Sequence, residues 1–210
     1  EAFHGAVERC VVPLAKRLQE RRSRSLGVKP LRPWDLAVDP DGRPPLKPFG
    51  TAEELAGGAE RAFRRLDPEL AGQFTRLRAL GLLDLENYKG KAPGGYQATL
   101  AERRLPFIFM NAVGTDQDVQ TLVHEGGHAF HTFAARDLLV RAYRHAPMEF
   151  CEVASMGMEL LILPHLDEFY RAEELERARR VRLEGIVEIL PWIAAIDAFH
   201  CRSDCVMVRH

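Results

Sequence analysis

The chain has 210 residues, of which 29 are basic and 30 are acidic, so its formal net charge is only −1. This balance argues against a nucleic-acid partner, which would favour a surplus of positive charge. No apolar stretch reaches the ~18 residues of a membrane span and no charged-then-apolar leader opens the chain, so we expect a soluble, cytoplasmic protein without a membrane partner. The length suits one domain, and the four scattered cysteines are expected to be reduced thiols.

The first half of the chain is predicted to be mainly helical. Gly27 is a stop signal, and the proline-rich residues 30–50 form a connection. Thr51 opens a capping box, and the pair Asp67-Pro68 marks another helix start. The helices predicted here are Phe3 to about Leu18, Thr51 to about Leu66, and Pro68 to near Gly81.

A small sheet is predicted in the middle of the chain. Residues 98–100 and 107–110 flank the polar segment 102–104, a pattern typical of a β-hairpin that follows a glycine-rich turn. The apolar run ends at Gly114. The fold class predicted from these patterns is mainly α with a small antiparallel β-sheet.

The helix that follows carries the most informative motif of the chain. Thr115 with Asp118 resembles a capping box, and apolar residues continue at helical spacing beyond it. His124 and His128 are four residues apart, so they project from one helix face and can hold one metal ion. Glu125 is turned by about 100° from His124, where its carboxylate can reach water on the metal as a general base.

Two glycines inside this helix need a physical reason. Gly126 and Gly127 each cost about 1 kcal/mol relative to alanine in a helix interior. We expect that another backbone packs closely there, or that a substrate needs the room.

A catalytic zinc site usually has three protein ligands, so a third donor is required. An extended motif with a third histidine would place it at position 134, with glycine at 131. The chain has Ala134 and His131 instead. Since a fourth protein ligand would close the site, we assign His131 to packing or to support of the ligands.

The alternative third donor is a glutamate on the next predicted helix, which begins near Pro147. Glu149 lies in the first turn, where the helix dipole favours a carboxylate. Glu152 and Glu159 differ by seven residues and share a face, so one can bind metal while the other orients a histidine through its second nitrogen. Periodicity does not decide between them.

The last predicted helices are residues 171–190 and 192–199, separated by Pro191. Residues 200–210 then lose helical periodicity. We expect these last residues to form an atypical tail that is disordered or artefactual.

Two segments resemble the oligoendopeptidase F branch of the thimet oligopeptidase family of zinc metallopeptidases. They are HEGGHAFH, from His124 to His131, and PMEFCEVASMGME, from Pro147 to Glu159. The resemblance is nearly continuous from about Ala2 to Phe199. Further similar segments are Leu31–Phe49, Gly81–Tyr96 and Leu105–Glu125.

The resemblance implies a zincin-like helical catalytic core with one Zn2+ per chain. Its ligands would be His124, His128 and Glu152, the last matching the glutamate of the family's E-x-x-S segment. Glu125 would act as base and then as acid. The family implies cleavage of short peptides inside a channel that excludes folded proteins.

Further residues are candidates for supporting the ligands or contacting substrate. Besides Glu159 and His131, there are two further candidates, His145 in the connecting loop and Tyr96 beside the glycines. Each could approach the substrate or a developing oxyanion, and the alternative for each is an ordinary structural role in its loop. The strand before the motif ends at Asn111 and Ala112, and we expect it to hold the peptide by edge pairing.

The chain also departs from the family. Family chains are more than twice as long, with a helical segment before this region and a histidine- and tyrosine-bearing segment after it. We therefore expect residues 1–199 to be a partial oligopeptidase catalytic domain, truncated or frame-shifted at its end. The rival interpretations are a catalytically impaired zinc-binding fragment and a metallohydrolase of non-peptide amides. The sequence does not indicate an oligomeric state.

Overall fold

The computed structural model describes the backbone of residues 2–207 and the side chains of residues 2–200. The chain divides into two compact units. One consists of the two end segments, Glu1–Pro45 and Arg179–His210, and the other is the central segment Leu46–Ala178.

The amino-terminal segment is helical up to Leu26, further than the apolar periodicity indicates. Helix α1 (Ala2–Ala6) passes through a π-helical turn, Val7–Val11, into α2 (Val12–Leu26). Gly27 ends α2 with φ of 67°, a conformation that glycine adopts without strain. The proline-rich connection that follows contains a short 3-10 helix, Pro33–Ala37.

Two helices open the central unit as predicted. Helix α3 (Ala52–Leu66) begins with the capping box of Thr51 and Glu54, and α4 (Pro68–Ala79) begins after Asp67, whose side chain accepts a hydrogen bond from the backbone of Glu69. Their apolar faces enter the core of this unit. Its largest fully buried side chains are Phe63, Phe74, Leu55, Leu77, Ile108, Met110 and Leu122.

A three-stranded sheet follows, with the strand order β1-β3-β2. The strands are β1 (Leu83–Glu86), β2 (Tyr96–Leu100) and β3 (Leu105–Ala112). The pair β2-β3 is antiparallel, as expected from the hairpin pattern. The pair β1-β3 is parallel, so the small sheet is mixed. The four residues of β1 are too few for a clear alternating pattern, which is why the sequence does not reveal them.

The remaining helices complete the mainly helical fold that the sequence predicts. In the central unit, α5 (Asp116–Ala135) is followed by a 3-10 turn (Arg141–Arg144), α6 (Met148–Leu161) and a second 3-10 turn (Leu163–Glu168). Helix α5 packs against the sheet, α3, α4 and α6. No helix in the described part of the chain is both long and apolar enough to cross a membrane.

Helix α7 (Ala172–Met207) is continuous through Pro191, so the predicted break at this proline is wrong. Proline removes one hydrogen bond in the preceding turn, but its fixed φ is helical and the residues after it can continue the helix. The backbone is helical up to Met207, while the side chains of 201–210 and the backbone of 208–210 lie outside the described residues. The interpretation of the tail, 200–210, therefore stays a prediction.

Candidate metal centre

The junction between β3 and α5 fixes the start of the motif helix. Asp118 is buried, and its Oδ2 accepts hydrogen bonds from the backbone of Val113 at 2.9 Å and from the backbone and hydroxyl of Thr115 at 2.8 and 2.9 Å. The Thr115 hydroxyl in turn accepts from the Asp118 backbone. The predicted capping box is therefore present, and it also ties α5 to the sheet.

Helix α5 presents His124 and His128 side by side, with ring centroids 4.9 Å apart and planes at 85°. Helix α6 brings Glu152 opposite them. One carboxylate oxygen of Glu152 lies 3.3 Å from Nε2 of His124, and the other lies 3.7 Å from Nε2 of His128. One donor atom from each of the three residues can be chosen so that all lie within 4.8 Å of one another.

These distances fit a single zinc ion. Ligand atoms that surround zinc tetrahedrally at about 2.0–2.1 Å are about 3.3–3.4 Å apart. The two nitrogen–oxygen separations, 3.3 Å to one oxygen of Glu152 and 3.7 Å to the other, are near that value, so small side-chain rotations suffice to bring one oxygen into the ligand set. All three side chains are partly exposed, which leaves an approach for a fourth ligand.

Glu159 contacts the ring nitrogen of His124 that does not face Glu152. Its Oε1 lies 2.7 Å from Nδ1 of His124, and its Oε2 accepts a hydrogen bond from Nε2 of Gln120 at 2.5 Å. A proton on Nδ1 leaves the lone pair of Nε2 directed towards Glu152. Glu152 and Glu159, which periodicity did not distinguish, thus contact different nitrogens of His124. Glu149 is exposed in the first turn of α6.

The close crossing of α5 and α6 explains one of the two glycines. A Cβ atom on Gly127 would lie 2.6 Å from Cα of Ser155 and 2.7 Å from the carbonyl oxygen of Ala154. At Gly126 it would lie 3.1 Å from the ring of Phe63. The expectation that another backbone packs closely is confirmed at Gly127, whereas Gly126 faces an aromatic ring of α3.

Ser155 supports the carboxylate of Glu152. Its hydroxyl is buried and lies within hydrogen-bond distance of the Glu152 carboxylate, at 2.9 Å, and of the Glu152 carbonyl, at 3.1 Å. Because Ser155 also meets Gly127, one residue links the crossing of the helices to the position of Glu152.

Glu125 is buried beside the two histidines, in contrast to the exposed Glu149. Burial raises the pKa of Glu125, against the lowering effects of nearby His124 and of a hydrogen bond from the Gln97 backbone. The hydrogen bond to Glu159 raises the pKa of His124, whereas burial lowers the pKa of His128.

The edge pairing predicted for the end of the strand before the motif, at Asn111 and Ala112, stays a prediction. β3 is the central strand of the sheet, but β2 pairs only with its residues Leu105 to Phe109, whereas β1 pairs with it as far as Ala112. Ala112 pairs with Glu86, and the Asn111 side chain donates a hydrogen bond to the carbonyl of Ala92. The outer strand on the side of the antiparallel pair is β2, and its Gln97 backbone reaches the carboxylate of Glu125.

The other candidate residues around the metal centre are placed as follows. Tyr96 at the start of β2 is half exposed and stacks on Phe109 at 4.9 Å and 17°. His131 lies on α5, partly exposed, one turn beyond His128. His145 is exposed in the loop before α6 and lines a small cavity. The substrate contacts of Tyr96 and His145, and the packing or ligand-supporting role of His131, stay predictions.

Sequence reasoning missed β2 as the outer strand and Ser155 as a support of Glu152. Hydrophobic patterns do not show which strand of a three-stranded sheet is central, because that order depends on a parallel partner distant in sequence. Ser155 had a usable signal, since its spacing of three from Glu152 on a helix brings the two side chains together.

Comparison with known proteins identifies the family. Residues 1–201 match the model described as peptidase family M3. The chain belongs to this family and, within it, to the oligoendopeptidase F branch.

Two relatives illustrate the match and its extent. The plasmid-encoded oligoendopeptidase F of Lactococcus lactis subsp. cremoris is 27% identical over 154 residues, which are 72% of this chain and 24% of that protein. A solved structure described as PZ peptidase A with inhibitor 2 is 35% identical with a TM-score of 0.84, and the match covers 94% of this chain and 35% of that one. The chain thus spans about a quarter to a third of these relatives.

Proposed function

We propose that this chain is the metal-binding part of a zinc-dependent endopeptidase that hydrolyses short peptides. The observation that carries the proposal is the group of His124, His128 and Glu152, with the buried carboxylate of Glu125 beside it. Membership of peptidase family M3 supports peptides as the substrate class. We assign one Zn2+ per chain to the three ligands and propose Glu159 as the residue that orients His124.

The chemistry follows from the positions of the side chains. When bound, zinc supplies Lewis acidity towards water and towards a peptide carbonyl. The Glu125 carboxylate accepts a proton from the attacking water and then delivers it to the leaving amine. Glu159 keeps the proton of His124 on Nδ1, which preserves Nε2 as a ligand atom.

We also propose that the peptide pairs with the outer strand β2 rather than with β3. β2 is hydrogen-bonded to β3 on one side, and the position of Gln97 brings the strand next to Glu125. A peptide added along this edge would place its backbone beside the general base.

The proposal is tested by changing the carboxylates one at a time. We expect about one zinc per chain by elemental analysis and glutamate-dependent cleavage of a quenched fluorescent peptide. Glu125→Gln should lower cleavage by about 100-fold or more while zinc stays bound, because it removes only the general base. Glu152→Gln should lower zinc occupancy. Glu149→Gln, at an exposed carboxylate of the same helix, is the matched control and should change neither.

Three other results have distinct meanings. Zinc binding without glutamate-dependent cleavage favours the catalytically impaired zinc-binding fragment. Hydrolysis of simple amides without cleavage of peptides favours a different metallohydrolase. Absence of metal from the purified and zinc-treated chain contradicts all of these proposals.

A further inference from the structure

A second concentration of charge lies where β2 and α5 end. A cavity of about 80 Å³ lies there, and four arginines and a histidine line it. We call this cavity the basic pocket. Its members are Arg104, Arg136, Arg141, Arg144 and His145. Among the described residues, no aspartate or glutamate lines this cavity. Arginine presents a planar fork of donors that matches a carboxylate, so the lining suits a small anionic group.

The basic pocket lies next to the candidate metal centre along both α5 and β2. Thr99 and Thr132 also line it, and their hydroxyl oxygens lie 3.2 Å apart. Thr132 follows His128 by one turn on the same face of α5, a rise of about 6 Å. Thr99 follows Gln97 by two residues and points to the same side of β2. A peptide lying along β2 at the metal centre would therefore reach the basic pocket within a few residues.

Arg104 occupies a backbone conformation that arginine rarely adopts. Its φ is 53°, and within the described part of the chain it is the only non-glycine residue with a positive φ. Glycine or asparagine would suit this turn better. The Arg104 guanidinium donates a hydrogen bond to the Arg136 carbonyl at 3.2 Å, at the end of α5. A strained arginine is better explained by what its side chain does than by the turn itself.

Arg144 has a donor without an acceptor. Its Nε is buried and has no hydrogen-bond partner among the described residues, although its NH2 group donates to the Leu139 carbonyl at 3.4 Å. Buried donors are normally paired, so this donor is available to an acceptor that enters the pocket. The only carboxylate paired with an arginine of the pocket, among the described residues, is that of the highly exposed Asp137, 3.4 Å from Arg136.

We propose that the basic pocket is a subsite for a carboxylate of the peptide substrate, an inference that rests on the proposed peptidase function. The volume of about 80 Å³ is far below the roughly 300 Å³ of common ligand pockets, so one small group fits better than a bulky side chain. The carboxylate can belong to an acidic side chain near the scissile bond or to the carboxyl terminus of a short peptide.

The test compares matched peptides on the zinc-loaded full chain carrying Glu125→Gln to suppress cleavage. The parent is a short neutral peptide with both ends blocked, labelled for fluorescence anisotropy. One set carries a single Gln→Glu change at successive positions, and another peptide has a free terminal carboxylate. We expect one of these to bind about tenfold tighter than the parent, with an advantage that shrinks as salt is raised.

Variants of the basic pocket test whether its arginines cause the tighter binding of the acidic peptide. Arg104→Asn and Arg144→Gln should bring the ratio of acidic to neutral peptide affinity towards one. Asparagine tolerates a positive φ, so the unfolding midpoint of Arg104→Asn should stay within a few degrees of the parent chain. Arg103→Gln, in the same turn but outside the pocket, is the matched control and should retain the advantage.

The outcomes separate the two proposals. The peptide that gains affinity identifies the source of the carboxylate, either a side-chain position or the terminus. Equal affinity for all peptides overturns the subsite but leaves the proposed function standing. An advantage that survives both pocket variants also overturns it. Failure to bind any peptide, including the neutral parent, overturns both proposals.

Discussion

The two helices that carry the candidate metal centre are held in place by different means. Helix α5 has ten buried residues and a capping box at Thr115, so the core and the sheet fix it along its length. Helix α6 has only two buried residues, Ser155 and Met158, and no side-chain cap at its start. The position of the histidines is therefore set by the core of the central unit, whereas the position of Glu152 is set mainly by contact with α5.

That contact has two parts. Ala154 and Ser155 lie against Gly127, which has no side chain to separate the helices. One turn away, Glu159 bonds to both His124 and Gln120 of α5. If this comparison is right, changes at the crossing should affect metal binding more than changes of similar size elsewhere on α5.

The largest effect is expected for Gly127→Ala. A Cβ at this position would meet backbone atoms at 2.6 and 2.7 Å, and backbone can relieve this only if α6 moves. Overpacking of this kind costs about 1–3 kcal/mol of stability. We expect zinc affinity to fall by about 100-fold, the upper end of what loss of ligand support costs. Competition with a chromophoric chelator measures the affinity, and thermal unfolding measures the stability.

Gly126→Ala is the matched control for this change. The added Cβ would lie 3.1 Å from Cζ of Phe63, a ring that can tilt by a few tenths of an ångström. Alanine also gains about 1 kcal/mol over glycine in a helix interior, which offsets the crowding. Zinc affinity should stay near that of the unchanged chain. Equal losses for the two variants would contradict a special role for the α5–α6 crossing.

A smaller loss is expected for Glu159→Gln. The amide keeps the shape of the carboxylate but loses the charge that favours a proton on Nδ1 of His124. We expect zinc affinity to fall by about tenfold, with little change in unfolding temperature. Glu149→Gln provides the comparison, since Glu149 is exposed on the same helix. Equal zinc affinity in both variants would show that Glu159 does not orient His124.

The same contrast explains what the sequence could predict. The capping box of Thr115 and the grouping of His124 with His128 depend on spacing within one helix, and both are present. The choice between Glu152 and Glu159 depends on how α6 crosses α5, which spacing within α6 does not contain. The resemblance to a known family supplied that choice, and the role of Glu152 stays a proposal.

The sequence does not reveal other features because they depend on contacts between segments that are distant along the chain. The central position of β3 requires β1, a strand of four residues that pairs in parallel. The continuity of α7 through Pro191 shows that a local breaker need not end a long helix. The basic pocket brings Arg104 close to a loop some forty residues later in the chain. The three arginines among residues 136–144 are a partial sequence signal of this pocket.

The smallest effect is expected for Ser155→Ala. The hydroxyl contact with the Glu152 carboxylate, at 2.9 Å, would be lost, but the helix crossing at Gly127 would remain. A carboxylate that is bound to metal depends on this hydrogen bond less than an unbound carboxylate does. Zinc affinity should therefore fall by only about threefold to tenfold.

Combining Ser155→Ala with Glu159→Gln tests whether α6 stays in place between the two contacts. Ser155 acts on Glu152, whereas Glu159 acts on His124, so the two losses in binding free energy should add to within about 0.5 kcal/mol. A coupling above about 1 kcal/mol would mean that the first change already displaces the helix as a whole. In that case α6 is held by its polar contacts, and the close packing at Gly127 follows from them rather than fixing the position of Glu152.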